Sequence, residues 1–294
     1  MSSKNILVIS SACHTSINRS VYKKMYSMGH NVTIIIPQKT KFNNVFRSPD
    51  PIEPDDPPII FLKTIFSFNP RLQLYNGLIQ KLILTKPEIV LLDLDPLCLQ
   101  AFILGILCKI NKIKFFAISC ENIPINFLES VKRRGLFSTP ALLVKLFLKL
   151  TNKKLLTGVF TINNEGTEIY QDFGFNNVIK IPLGFDSKHF KIDLAIRKNI
   201  KLQYDFKGIT IAYFGRFVYE KGIHILINLL SALKEFEWIL VMDEFKDYKT
   251  NYITDIKSSI NSNSLQSRVK FINPNHKEIG QFINAIDKVV VPSL

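Results

Sequence analysis

Gly208-Ile209-Thr210-Ile211-Ala212-Tyr213-Phe214-Gly215-Arg216-Phe217-Val218-Tyr219-Glu220-Lys221-Gly222 is the stretch that decides how this chain is read. Residues 208–214 form a short apolar run of strand length, and a helical pattern follows over 220–234. A strand that runs through a tight turn into a helix is half of a βαβ unit, the building block of a parallel sheet. Downstream the alternation continues with strands expected at 238–242, 269–272 and 288–291, separated by helices at 248–259 and 278–285. Upstream it is already present. Strands are expected at 6–9, 31–36, 89–93, 114–119, 158–162 and 178–181, with helices at 17–28, 72–84, 96–110, 140–151 and 165–173. Gly29 suits a helix C-terminus, where a left-handed conformation costs least. The segment 38–58, rich in Pro, Asp and Asn, reads as a long loop of the kind that serves as a flap.

The alternation breaks at Pro182-Leu183-Gly184-Phe185-Asp186, and residues 187–207 read as a polar, basic connector without sheet period. The expectation is an α/β protein with two doubly wound domains, 1–183 and 184–294, and ligands bound at the carboxyl ends of their strands in the cleft between them. The second domain stops just after a strand, at Val291-Pro292-Ser293-Leu294, and is expected to be incomplete.

Composition narrows the class. The chain has 294 residues, 47% apolar, which is ample for buried cores and excludes intrinsic disorder. Its four cysteines, at 13, 98, 108 and 120, show no paired spacing, which points away from a disulfide scaffold or zinc finger and towards a reducing compartment. Met1-Ser2-Ser3-Lys4 runs straight into Ile6-Leu7-Val8-Ile9 without a separate apolar leader. No uncharged apolar run reaches the ~18 residues of a membrane span. A cytoplasmic protein is expected. The 38 basic against 24 acidic side chains give a charge of +14. That charge suits nucleic acid, anionic lipid or substrate phosphates, and equally a solvated surface. The lysines are scattered, with no basic helix rich in aromatics, so no specific nucleic-acid partner is expected.

The chemistry concentrates at the quoted turn. Gly215 is expected to let the backbone turn tightly. Lys221 falls in or near the first helical turn, where a cation is unfavourable unless an anion neutralises it. Arg216 follows the strand tip, so both cations converge on one diphosphate, Arg as a fork and Lys as a point charge. The competing reading has Glu220 neutralising Lys221 and Arg216 capping a neighbouring carbonyl.

Gly215-Arg216-Phe217 followed by Glu220-Lys221-Gly222 resembles the GR(L/F)xxEKG signature of family 4 glycosyltransferases, retaining enzymes of the GT-B fold. Three further stretches resemble that family in order and spacing. They are Val178–Asp186 followed by Phe190, then Val269-Lys270-Phe271-Ile272, then Ala285-Ile286-Asp287-Lys288-Val289-Val290-Val291-Pro292-Ser293. The resemblance is specific from 157 to 294 and diffuse over the first 120 residues. It implies sugar transfer from a nucleotide-diphosphate sugar to a glycan or lipid-linked acceptor hydroxyl during cell-surface polysaccharide assembly, with retention at the anomeric carbon. It implies no cofactor and no metal. The leaving diphosphate is then met by side-chain cations, a role that the resemblance gives to Arg216 and Lys221. It also assigns donor binding to Gly215 and to Ser11 and Ala12 in the loop after the first strand.

Departures from the family pattern are equally visible. Its Glu-x7-Glu pair follows the "PS" strand, and this sequence ends at Leu294 before either position. A glycine-rich turn is replaced by Met242-Asp243-Glu244-Phe245, and a Gly-Gly loop by Ser10-Ser11-Ala12-Cys13-His14. A catalytically inactive truncated homologue, or a basic phosphate-binding module, is therefore the alternative reading.

On the acceptor side, Glu121 and Asn122 follow the strand at 114–119, where relatives carry a His or an "EN" pair. A carboxylate there orients an acceptor hydroxyl or assists its deprotonation; otherwise Glu121 caps a helix or pairs with Lys132-Arg133-Arg134. His14, on the first loop, is a second acceptor-side candidate, although a lone loop histidine is commonly incidental. His224 reads as a partly buried helix residue. Asp93 and Asp95 are read as caps of the helix beginning at Pro96. Residues 132–154 form a basic, apolar stretch in which Val144, Leu146, Phe147 and Leu150 give a broad apolar face beside Lys145 and Lys149. Such a stretch either lies on an anionic membrane surface or packs on the sheet.

Overall fold

The computed structural model describes residues 2–42, 45–66, 71–121, 139–184, 187, 190–215, 217–232, 238–243, 251–272 and 278–293. The chain divides into two compact units, residues 1–184 and 185–294. The first contains β1 (Asn5–Ser10), α1 (Ser20–Ser27), β2 (Asn31–Pro37), β3 (Thr40–Phe42), β4 (Val45–Arg47), β5 (Ile59–Leu62), β6 (Thr64–Ile65) and β7 (Leu74–Tyr75). It continues through α2 (Leu78–Thr85), β8 (Ile89–Asp93), α3 (Leu99–Ile110), β9 (Lys114–Ser119), α4 (Thr139–Leu155), β10 (Gly158–Thr161), α5 (Asn164–Asp172) and β11 (Val178–Lys180). Its seven-stranded sheet has the order β11-β10-β9-β8-β1-β2-β5, and every pairing is parallel. The chain builds outward from β1 through β2 to β5, then restarts at β8 on the other side of β1. Its direction of growth therefore reverses between β1 and β8.

The second unit contains α6 (Leu194–Gln203), β12 (Ile209–Tyr213), α7 (Ile223–Ala232), β13 (Trp238–Asp243), α8 (Asn251–Ser262), β14 (Val269–Ile272), α9 (Ile279–Phe282) and β15 (Lys288–Val289). The sheet order is β14-β13-β12-β15, again all parallel, with the reversal between β12 and β15. Both units are thus Rossmann-like.

Strand periodicity explains the layering. Along β1, Leu7 and Ile9 enter one core with Leu92, Leu104 and Phe115. Ile6 and Val8 enter another with Tyr22, Ile34 and Ile36. Successive side chains point to opposite faces, so a strand apolar throughout must be covered on both. The second unit repeats this, with Tyr213 packed towards Ile223 and Ile227 and Ala212 towards Phe282 and Ala285.

Helix α1 ends as expected, in a Schellman arrangement. Gly29 has φ +88°, its N–H donates to Tyr26 O, and the His30 N–H donates to Met25 O. Elsewhere the structure departs from the sequence reading. Residues 38–58 are not one open loop, because β3 and β4 pair as an antiparallel ribbon. The strand β5, absent from the sequence reading, pairs with β2 at the sheet edge; its all-apolar run Ile59-Ile60-Phe61-Leu62 lacks the flanking helix that marks the other strands. The helix expected from Leu72 begins only at Leu78, after Gly77 in a left-handed conformation. Within the connector 187–207, α6 forms because the Asp193 carboxylate accepts from the N–H groups of Ala195 and Ile196.

Two charge clusters hold outlying segments in place. Arg19 is completely buried. It donates to the carbonyls of Cys13, Asp50 and Pro51 and to the Asp56 carboxylate at 2.8 Å, whose side chain is also buried. This fixes residues 50–56 against α1. Asp287 accepts from Arg197, from Lys201 and from the Thr210 N–H, tying α6 to β12. Burial alone would raise the Asp287 carboxyl, but the hydrogen bonds from Lys201, Thr210 and Arg197 outweigh it and hold the pKa at about 2.

Replacing Arg19 with Met leaves the buried Asp56 carboxylate only the more distant Lys23 ammonium, at 3.5 Å, and the Glu53 N–H, so a loss of about 3 kcal/mol is expected in urea unfolding. For Asp287, the unfolded carboxyl takes up its proton at higher pH than the folded one. Its contribution is therefore present above pH ~4 and is lost between pH ~4 and ~2. Asp287→Asn should lower stability by ~1–2 kcal/mol at neutral pH and flatten that acid limb, as read from unfolding midpoints across pH.

Candidate functional site

In open α/β sheets, ligands bind beyond the carboxyl ends of the strands where chain growth reverses. In the second unit this point lies between β12 and β15. After β12 the backbone passes Gly215 into a short 3-10 turn, Tyr219–Lys221, and α7 starts only after Gly222. Lys221 therefore lies just before the α-helix rather than in its first turn, because Gly222 adopts a left-handed conformation (φ +63°) between them. A Cβ on Gly222 would overlap the Pro292 carbonyl oxygen. One residue further, Lys221 Nζ donates to Ser293 Oγ at 3.2 Å. The two family-like stretches Glu220-Lys221-Gly222 and Pro292-Ser293, distant in sequence, meet at this point of reversal. No ion pair joins Glu220 to Lys221 among the described residues, so the neutralisation offered as the competing reading is not what fixes the lysine. Arg216 lies outside the described residues.

Gly215 serves a different purpose from the one expected. Its φ lies outside the left-handed region, and a Cβ there would come within 2.7 Å of the Tyr213 hydroxyl oxygen. Close approach of the buried Tyr213 ring, against which Phe217 packs edge to face, requires the glycine. His224, partly buried as expected, accepts or donates through Nδ1 to the Tyr252 hydroxyl at 3.0 Å. The ring of the exposed Tyr219 stacks on it at 4.8 Å. Nothing in the sequence spacing singles out this aromatic stack.

In the first unit the reversal lies between β1 and β8, where Ser10 pairs in register with Asp93. Ser10 Oγ donates to Asp93 Oδ2 at 2.7 Å and accepts from the Cys13 N–H. Burial pushes the Asp93 carboxyl above the usual range, against the hydrogen bonds from Ser10 and Tyr22. Ser11 Oγ lies 3.0 Å from the Tyr75 hydroxyl, and the Ala12 carbonyl accepts from Asn18 Nδ2. Both expected donor-loop residues thus lie beside the carboxyl end of β1. Neither Asp93 nor Asp95 caps α3. That position belongs to Cys98, whose sulfur accepts from the Ala101 N–H, while Asp95 holds the preceding turn through the Leu97 N–H.

Glu121, beyond the end of β9, accepts from Arg71 Nη2 at 3.4 Å, and the same nitrogen donates to Asp95 at 3.1 Å. Tyr170 links this pair to the sheet by donating to Asp95 and accepting from Ser119 Oγ. Arg71, which comes from a segment between β6 and β7, was missed by sequence reasoning; its carbonyl accepts from the Leu99 N–H at the start of α3, and its side chain reaches the strand tips. Asn122 lies outside the described residues, as do Lys132, Arg133 and Arg134. His14 is buried, and its Nε2 lies 2.9 Å from the Arg47 carbonyl. A carbonyl only accepts, so Nε2 carries the proton. Burial lowers the His14 pKa, keeping the ring neutral at pH 7. His14 thus anchors the end of β4.

Chemically, the second unit offers an ammonium at a strand-tip turn, suited to an anion. The first unit offers carboxylates and hydroxyls, suited to a polyhydroxyl ligand. Among the described residues, no group of His, Cys, Asp and Glu has the arrangement of a metal site, and no helix is long and apolar enough to cross a membrane. Gly222→Ala should cost at least ~2 kcal/mol in urea unfolding, from both left-handed strain and the Pro292 contact. Gly77→Ala is the control: its φ is +80° with nothing within 4 Å of the added Cβ, so only the strain, about 1 kcal/mol, should appear.

No protein family's model matches the chain, and no curated protein matches it. Solved structures do. Anabaena HepE in complex with UDP and glucose superposes with a TM-score of 0.69 at 17% identity, covering 99% of this chain and 74% of that one. A glycosyltransferase from Rickettsia africae gives 0.70 at 15% identity, covering 100% of this chain and 74% of its own. Sucrose-phosphate synthase from Thermosynechococcus elongatus gives 0.67 at 15% identity, covering 98% and 75%. At such identities the likeness establishes architecture: the chain has the α/β fold of the GT-B glycosyltransferases.

Proposed function

We propose that this chain is a retaining family 4 glycosyltransferase that moves a sugar from a nucleotide-diphosphate sugar to a glycan or lipid-linked acceptor in cell-surface polysaccharide assembly. The observation that carries the reading is the closure of Lys221-Gly222 onto Pro292-Ser293 at the reversal point of the second sheet. It brings an ammonium to the place where α/β sheets bind phosphate-bearing ligands. That the similar HepE structures hold UDP and UDP-glucose supports the same donor class. Residues 184–294 are assigned to the donor and residues 1–183 to the acceptor.

In this reading the bond between the anomeric carbon and the diphosphate breaks while a bond to the acceptor oxygen forms on the same face, and the acceptor hydroxyl proton passes to the departing diphosphate oxygen. Negative charge grows on the departing diphosphate, and Lys221 and Arg216 stabilise it electrostatically, with no metal or cofactor required. Gly215, which leaves room for the Tyr213 ring beside the turn that carries them, and Ser11 and Ala12, from the loop after β1, contribute to donor binding. Glu121, steadied by Arg71, accepts a hydrogen bond from the acceptor hydroxyl, with Asn122 and His14 on the same side. A cytoplasmic position with peripheral contact to the inner face of an anionic membrane completes the reading.

UDP, GDP and ADP should be screened by thermal shift, with the best nucleotide carried into a transfer assay as its sugar conjugate. At least one diphosphate is expected to raise the Tm. Lys221→Ala and Arg216→Ala should each reduce turnover by roughly 10²–10³ with the fold intact by circular dichroism. Unchanged turnover in both would remove the assignment. Binding without turnover would instead identify an inactive homologue, and salt-sensitive binding to polynucleotide alone a general phosphate-binding module.

A further inference from the structure

We infer that the outer face of α3 and α4 is a docking surface for an anionic lipid bilayer, with a lysine-lined hollow at its end that receives lipid phosphates. This rests on the peripheral-contact part of the reading above, not on the transfer chemistry. Over its described side chains α4 is turned inside out. Leu148 and Asn152 point inward and are buried, whereas Leu143, Val144, Leu146, Phe147 and Leu150 are between 45% and 55% exposed. At 100° per residue these five share one arc of the helix, so packing on the sheet uses the opposite arc. Lys149 does not border this arc; its ammonium lies over the Phe173 ring, 4.0 Å from the centroid.

Helix α3 extends the surface. It packs tightly on α4, since a Cβ on Gly105 would meet Leu155 Cβ at 2.7 Å, and the rings of Phe102 and Phe147 are 5.5 Å apart. Its Ile106 and Ile110 are exposed, Ile110 by 73%. Exposed apolar faces of this extent on a charged protein mark a place of contact.

Charge complementarity identifies the partner. Where α3 and α4 end, Lys109, Lys112, Lys114 and Lys154 line an open hollow of about 360 Å³ together with Ile113 and Thr157. No Asp or Glu contributes to its lining. Lys154 lies one helical turn beyond Leu150, and Lys109 beside Ile110, so hollow and apolar face are continuous. An apolar ridge that settles at the headgroup boundary while adjacent lysines reach phosphates is the arrangement of an interfacial anchor. A protein partner of acidic surface would not require the apolar ridge, and a second copy of this chain would bring lysine against lysine. The hollow lies at the start of β9, whereas Glu121 lies beyond its end, so docking here leaves the strand tips of the first unit open.

The test is co-sedimentation of the full chain with vesicles of phosphatidylcholine alone and of phosphatidylcholine mixed with phosphatidylglycerol. Binding is expected only to the mixed vesicles and should be lost in 1 M salt, at which the screening length is about 3 Å. Each lysine near the surface is worth roughly fivefold. The triple variant Lys109→Glu, Lys112→Glu, Lys154→Glu should therefore bind on the order of 100-fold more weakly, and Leu146→Asp with Leu150→Asp should abolish binding. Circular dichroism should show both variants folded, and nucleotide thermal shifts should match those of the parent. Variants that bind like the parent, equal binding to neutral vesicles, or no binding at low salt would overturn the inference. So would a dimer in sedimentation that Leu146→Asp with Leu150→Asp disperses, which would give the face to a second copy. None of these readouts requires sugar transfer, so failure here and failure of the transferase reading remain distinguishable.

Discussion

The Pro292 carbonyl leaves no space for a side chain at Gly222, and the candidate donor site depends on that contact. Strand β15 inserts beside β12 from the far end of the chain, and the backbone leaving it must pass the turn that leaves β12. Only a glycine in the left-handed region allows the two backbones to approach so closely. The consequence is positional: Lys221 is delivered to Ser293 by main-chain packing, whatever its own side-chain preferences. Ordering the lysine in this way before any ligand arrives removes part of the entropic cost of using it.

The first unit solves its own reversal point with hydrogen bonds instead. Ser10 joins the turn after β1 to the end of β8 by accepting from one backbone N–H and donating to Asp93. Beside it, Arg71 gathers Asp95 and Glu121, which as neighbouring carboxylates would otherwise repel one another. Each carboxylate retains further acceptor capacity beyond these bonds. A polar, half-buried surface results, on which hydroxyl groups find acceptors with fixed directions.

Much of this architecture was legible in the sequence because apolar period and glycine position are local signals. Strand β9 and strand β14 fall where the alternation places them, and Gly29 closes α1 as its chemistry dictates. What was hidden depended on distant partners. Strand β5 forms because β2 offers it an edge, and the ribbon at 40–47 lies in a segment that the buried Arg19 helps to hold. At the candidate sites the residue types of Lys221 and Glu121 were readable. The partners that hold them, Ser293 and Arg71, lie 72 and 50 positions away and carry no local mark. Gly215 was noticed for the right position and the wrong reason, since the ring that excludes a side chain there is set by tertiary packing.

The sulfur atoms of the chain have unequal fates. Cys13, Cys98 and Cys108 are buried, and burial pushes their thiols up to about 12, so they stay protonated and shielded; Cys98 spends its sulfur on a helix cap. Cys120 alone is exposed, immediately before Glu121 at the tip of β9. A maleimide dye added to the unaltered folded chain would therefore attach at a single spot, and its emission would report on whatever occupies the neighbouring carboxylates.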